Sequence, residues 1–174
     1  PHIVSFFNEV QEILTLALHA TKMVEDEVKR GWFECRYARM LRQLHNSRTA
    51  QEYLDRAEEI ARRHKQEGEL GWVLHTRSGV YYKDGYLQEA EKRALELLEI
   101  GDTTQQPIFK SIAAQRLSDI ELNKSQLAKS RDWLDQAEKW ANQAHWIRGL
   151  AWMLYRKGKL LCLQQVKGEA EERL

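Results

Sequence analysis

The sequence predicts an all-α chain built as an array of helical hairpins, and three observations carry that prediction. Small and apolar side chains recur every forty residues: Leu14, Leu54, Ala94, Leu134 and Leu174 form one column, and Ala17, Ala57, Leu97 and Ala137 another. A second set lies about twenty residues further on, where Trp32, Trp72, Ile112 and Trp152 follow the small residues Gly31, Gly71, Ser111 and Ala151. No stretch alternates β-branched with polar side chains, so a sheet has no support. A fixed period in this range implies units that each bury an apolar stripe only against their neighbours.

The first set of columns defines a helix B. Val10, Ala50, Ala90, Ser130 and Ala170 precede the leucine column by four residues and the alanine column follows it by three, which puts all three on one stripe. The tryptophan column defines a helix A, with Ala38, Ser78, Ser118 and Gly158 as small residues where two helices approach closely. Glu121 interrupts the large-residue column Leu41, Tyr81, Leu161.

Nine helices follow in order. A first helix B spans residues 3–23, and a helix A spans 26–44. After the turn His45-Asn46-Ser47, with an Asn or Ser cap, helix B spans 47–66. A helix A spans 70–83, and Lys83-Asp84-Gly85 makes the plainest turn before helix B at 86–100. Gly101-Asp102 stops that helix, residues 103–106 form the longest connector, and Pro107 opens a helix A that runs to 123. Ser125 caps a helix B ending at 143, a helix A covers 145–163, and a last helix B begins near Val166. Hairpins joined by short turns should stack into a single right-handed superhelix over residues 1–174, of about four units with incomplete outer hairpins, as in a fragment of a larger protein.

Composition narrows the function. Lys plus Arg is 27 against Asp plus Glu 26, a net charge of +1, so no long-range field draws the chain to nucleic acid or an anionic membrane. No apolar run approaches the ~20 residues that span a bilayer. Two cysteines far apart, Cys35 and Cys162, offer no disulfide framework and fit a reducing cytoplasm. Both are expected to be partly buried structural thiols, since no histidine lies within a helical turn of either.

Catalytic signatures are missing. No GxxxxGK[ST], GxGxxG, HExxH or GxSxG string occurs, and none of the six histidines has a His or Cys three or four residues away. The sequence therefore predicts no enzyme, no metal and no cofactor. Glu58/Glu59, Glu89/Glu91 and Glu171/Glu172 read as solvated helix charges with basic neighbours.

One unit, LHTRSGVYYKDGYLQEAEKRALEL, carries Leu74, Ser78, Tyr81, Tyr82, Gly85, Ala90, Ala94 and Leu97. It resembles the tetratricopeptide repeat (TPR), which places an aromatic pair before a Gly turn and an Ala five residues after it. His45, Ser125 and Gln165 replace that glycine in the other units. The forty-residue period, longer than the usual ~34, is similar to TPR-like arrays in sensor regions of bacterial signal-transduction ATPases, among them NB-ARC and maltose-regulator-like proteins.

The resemblance implies a module for protein interaction or sensing, in which A helices line a concave groove that takes a peptide or partner domain. Carried onto this sequence, the groove residues are Arg39 and Arg42; Trp72, His75, Tyr82 and Lys83; Gln115 and Asp119; and Tyr155 and Lys159, with Cys35, Leu122 and Cys162 beside them. Arg36, Arg39 and Arg42 near one end and Arg156, Lys157 and Lys159 near the other suit an acidic or carboxylate-bearing peptide, and equally suit solvated side chains or pairs with Glu residues on the neighbouring helix. Two other functions fit the same pattern: an inducer sensor with a small molecule near His75, Tyr82 and Tyr155, and a self-assembly scaffold, with a homodimer as one expected form. Trp140 and Trp146 fall outside the tryptophan column and are expected to pack against the last hairpin.

Overall fold

A computed structural model describes residues 2–23 and 25–171, with side chains placed for 8–23, 25–163 and 165. Among the described residues there are eight helices and no strand: α1 (His2–Met23), α2 (Glu27–Gln43), α3 (Ser47–Arg63), α4 (Glu67–Lys83), α5 (Leu87–Thr103), α6 (Pro107–Asn123), α7 (Leu127–Gln143) and α8 (Ile147–Glu171). The chain is all-α, and α1, α3, α5 and α7 are the B helices, α2, α4, α6 and α8 the A helices. No described helix is long and apolar enough to cross a membrane.

Each helix from α2 to α7 has 17 residues, and the turns between them are three residues long. The turns share one geometry. Glu25, His45, Lys65, Gly85, Gln105, Ser125 and His145 all have positive φ, between 48° and 85°. The residue after each donates its N–H back across the helix end, as Asn46 does to the Leu41 carbonyl (3.0 Å) and Gln126 to that of Glu121 (2.9 Å). This is the Schellman arrangement, which satisfies orphan carbonyls with one left-handed residue. Six of the seven are not glycine and carry the steric cost of that conformation, of order 1 kcal/mol.

The shared turn corrects several boundaries. Gly101-Asp102 does not stop α5, which continues to Thr103. A Cβ at Gly101 would stand 2.5 Å from Lys110 Cγ and 2.9 Å from its backbone N, so glycine is there because α6 starts against it. Residues 103–106 are no longer a connector than the rest. Ser125 is not a cap but the left-handed turn residue, and Gln126 precedes α7 without a side-chain cap bond. Asn46 does cap α3, accepting from the Thr49 N–H at 3.4 Å. Helix α4 begins at Glu67 rather than residue 70, and α8 runs unbroken to Glu171, so no separate helix starts at Val166 and Gln165 is not a turn residue.

The chain divides into two compact units, residues 1–90 and 91–174. In the first, Leu18, Leu41, Leu54, Val73 and Val80 pack around the small residues Ala38, Ala50 and Ala57, with Val10 and Leu14 against them. Burying each large aliphatic side chain contributes about 1.5–3 kcal/mol. Small columns mark helix contacts: a Cβ on Gly31 would meet Ile60 Cγ2 at 2.9 Å, and Ser78 Oγ donates to the Ala90 carbonyl at 2.9 Å. The buried Arg77 of α4 is held by Asp55 (2.8 Å) and Glu58 (3.1 Å) of α3.

In the second unit, Ala114, Leu134, Ala137, Ala141, Met153 and Leu160 form the core, with Trp140 and Trp146 packed on it as expected. Ser111 Oγ donates to the Ala137 carbonyl and Ser118 bonds Ser130, both at 2.9 Å, tying α6 to α7.

Candidate interaction surface on the A helices

Within residues 1–90, α2 and α4 lie side by side. Lys83 Nζ donates to the Arg42 carbonyl at 2.7 Å, and Cys35 Sγ meets Thr76 Oγ1 at 3.9 Å. Arg36 sits between two indoles, its guanidinium 4.8 Å from the Trp32 ring centre and 5.5 Å from that of Trp72. The His75 ring meets Trp72 edge-on at 6.1 Å. Trp32 is exposed, while Trp72, His75, Arg36, Arg39, Arg42 and Tyr82 are half-buried and Lys83 is exposed. Helical spacing of three and four residues brings these groups to one face.

This layer is electrostatically biased. Glu69 stands close enough to Arg36 to feel its charge, yet burial pushes the carboxyl above its ordinary value and the guanidinium only partly offsets that. Cys35 is buried beneath the layer, and desolvation raises its thiol to about 11, so it is an inert structural group, as expected.

Within residues 91–174, α6 and α8 are neighbours of a different kind. Arg156 pairs with Asp119 and donates to the Gln115 carbonyl at 3.4 Å. Lys157 reaches Asp135 and Glu138, both at 2.6 Å. Burial would lower the Lys157 ammonium, but its two carboxylate partners outweigh that and hold it above its ordinary value. Gln115 is buried, its amide 3.4 Å from Ser111 Oγ, and Asp119 is half-buried. Tyr155 and Lys159 are exposed, and the Tyr155 ring leans on Trp152 at 5.5 Å. Cys162 is exposed rather than partly buried, because α8 contributes only a narrow stripe to the core.

The structure thus brings Arg39, Arg42, Trp72, His75, Tyr82 and Lys83 onto adjoining helices of one unit, and Gln115, Asp119, Tyr155 and Lys159 onto adjoining helices of the other. Sequence spacing did not reveal the sandwich of Arg36 by Trp32 and Trp72. The signal available was the tryptophan column at a forty-residue interval with Arg36 four residues after Trp32. Among the described residues, no three His, Cys, Asp or Glu side chains converge into a metal-holding group.

No family model and no curated relative matches the chain. Its fold is similar to that in the crystal structure of the apo form of RapI, with a TM-score of 0.75 at 15% identity over 95% of this chain and 46% of that one. The chain spans about half the length of that protein. At this identity the likeness shows the fold, a TPR-like helical repeat of the α-α superhelix class.

Proposed function

We propose that the chain is a non-catalytic protein-interaction module, the regulatory part of a larger cytoplasmic bacterial signalling protein, which takes an acidic peptide segment of a partner on its A-helix face. The observation that carries this reading is the aromatic–cation layer Trp32–Arg36–Trp72–His75, with Arg39, Arg42 and Lys83 on the same pair of helices. Tryptophan and arginine are the side chains that most often dominate interface energetics, and arginine engages carboxylates with paired donors. Helices of a packed array hold these groups in place before a partner arrives, which lowers the ordering cost of binding. The fold likeness supports a repeat scaffold of this type. Nothing in the layer resembles a nucleophile paired with a base.

Fluorescence anisotropy with a labelled Asp/Glu-rich peptide ending in a free carboxylate tests the reading. We expect micromolar binding that weakens on raising salt and on amidating the peptide terminus. A peptide that fails to bind, or binds equally well at high salt, overturns it.

A further inference from the structure

Away from the A-helix face, the first unit holds a cleft of about 460 Å³ between the end of α1 and helices α2 and α3. Its walls carry Lys22, Arg30, Arg56 and Arg63 against Glu34 and Glu59, and Ile60 forms an apolar floor where Gly31 lets α2 and α3 approach. Among the described residues no aromatic side chain lines it. The volume falls in the range of small-molecule sites, about 300–1,000 Å³.

The unusual member is Glu34. In the repeat its position is occupied by Leu74, Ala114 and Leu154, and Leu74 and Ala114 are fully buried. A carboxylate therefore stands at a core position of the repeat, with its side chain only 3% exposed. One oxygen accepts from Arg56 Nε at 3.1 Å, while Oε2 has no hydrogen-bond partner. Leaving a buried charged acceptor unmatched is costly, and a leucine would remove that cost. Arg77 Nε and Glu121 Oε2 are also without hydrogen-bond partners, Arg77 on the wall of another cleft, but on the wall of this cleft the unmatched atom is the acceptor Glu34 Oε2.

The cations are already partly engaged. Arg30 reaches Glu27 at 3.2 Å, and Arg63 bridges Glu27 (3.3 Å) and Glu59 (2.5 Å). The Glu27 carboxyl is held below its ordinary value, chiefly by its hydrogen bond from His64 and despite some desolvation. Arg56 leans on Tyr53 at 4.4 Å, and its half-exposed side chain lies over Glu34. Four cations against Glu34, Glu59 and the adjoining Glu27 leave one excess positive charge for an anion to meet. Glu34 Oε2, already without a partner, needs a donor that a plain polycarboxylate lacks.

We infer that this cleft binds a small hydroxylated polycarboxylate, its carboxylates on Arg30, Arg56 and Arg63 and its hydroxyl donating to Glu34. A nucleotide is disfavoured because no ring lines the cleft for a base to stack on. The site is separate from the A-helix face and stands whether or not that face binds peptide.

Citrate and tricarballylate make a matched pair, since both carry three carboxylates and only citrate has the hydroxyl. Calorimetric titration of the full chain at constant ionic strength should show citrate binding at least fivefold tighter, the factor that leaving a buried acceptor unpaired implies at its lower bound of about 1 kcal/mol. Glu34→Leu, which places the residue of Leu74 at this position, should raise the melting temperature of the free protein and bring the two affinities together. Equal affinities in the unaltered protein, absence of citrate binding, or a citrate preference that survives Glu34→Leu would each overturn the proposal. The comparison of the two anions on the unaltered chain stands even if the variant fails to fold.

Discussion

The pair α2/α4 and the pair α6/α8 are read from the same repeat positions, yet they present different chemistry. On α2/α4 the central cation, Arg36, is stacked between indoles, and among the described residues no carboxylate lies within ion-pair distance of it. On α6/α8 the central cation, Arg156, is neutralised by Asp119 across the helix pair. One arginine is held by aromatic rings and the other by an ion pair. Burial differs as well: Leu74 on α4 is fully buried, whereas Leu154, two forty-residue periods later on α8, is 64% exposed. Repeat position alone sets neither recognition nor burial; the covering neighbour does.

The largest expected effect sharpens that contrast in packing. Leu74→Ala should destabilise the chain by about 3 kcal/mol, as buried Leu→Ala changes do, while Leu154→Ala should stay within about 0.5 kcal/mol. Urea unfolding of both variants checks it, and equal losses would break the comparison.

Removing the cations comes next. Arg156→Ala leaves half-buried Asp119 with the longer contact to Arg116 (3.5 Å) and should cost about 2 kcal/mol, below the range for a fully buried pair because a second cation stays and both side chains keep some solvent. Arg36→Ala should cost no more than about 1 kcal/mol, the scale of a partly exposed cation–π contact. Thermal melts of the two variants under one set of conditions order them.

The turns differ least. Gly85→Ala meets no neighbouring atom, so its cost is the left-handed backbone alone, about 1 kcal/mol, and Lys65→Gly should gain a similar or smaller amount. Denaturation midpoints resolve both.

Much of this fold was legible in the sequence because small residues mark where helices touch. The Leu14/Leu54/Leu134 and Ala17/Ala57/Ala137 columns located the B helices, and the tryptophan column located the A helices. The boundaries near Gly101 and Ser125 were misread for one reason. A Schellman turn accepts His, Lys, Gln or Ser in a left-handed conformation, so glycine is a poor marker of it here, and Gly101 serves packing instead. The candidate surface was half legible: spacing placed Arg39, Arg42, Trp72, His75, Tyr82 and Lys83 on one side, but which cations are cancelled depends on partners such as Asp119, Asp135 and Glu138 that only the packed helices bring close. Glu34 stood in plain sight in the column it shares with Leu74, Ala114 and Leu154, where a charge among apolar residues was the signal.

We propose that recognition belongs to α2/α4 rather than to α6/α8. Affinity for the acidic peptide, measured on the double variant Arg39→Ala/Arg42→Ala and on Lys159→Ala, tests it most directly. Loss of about tenfold or more in the first, on the scale of one hot-spot arginine, with the second unchanged, is the result predicted. Equal losses in the two, or an unaltered affinity in the double variant, would contradict it.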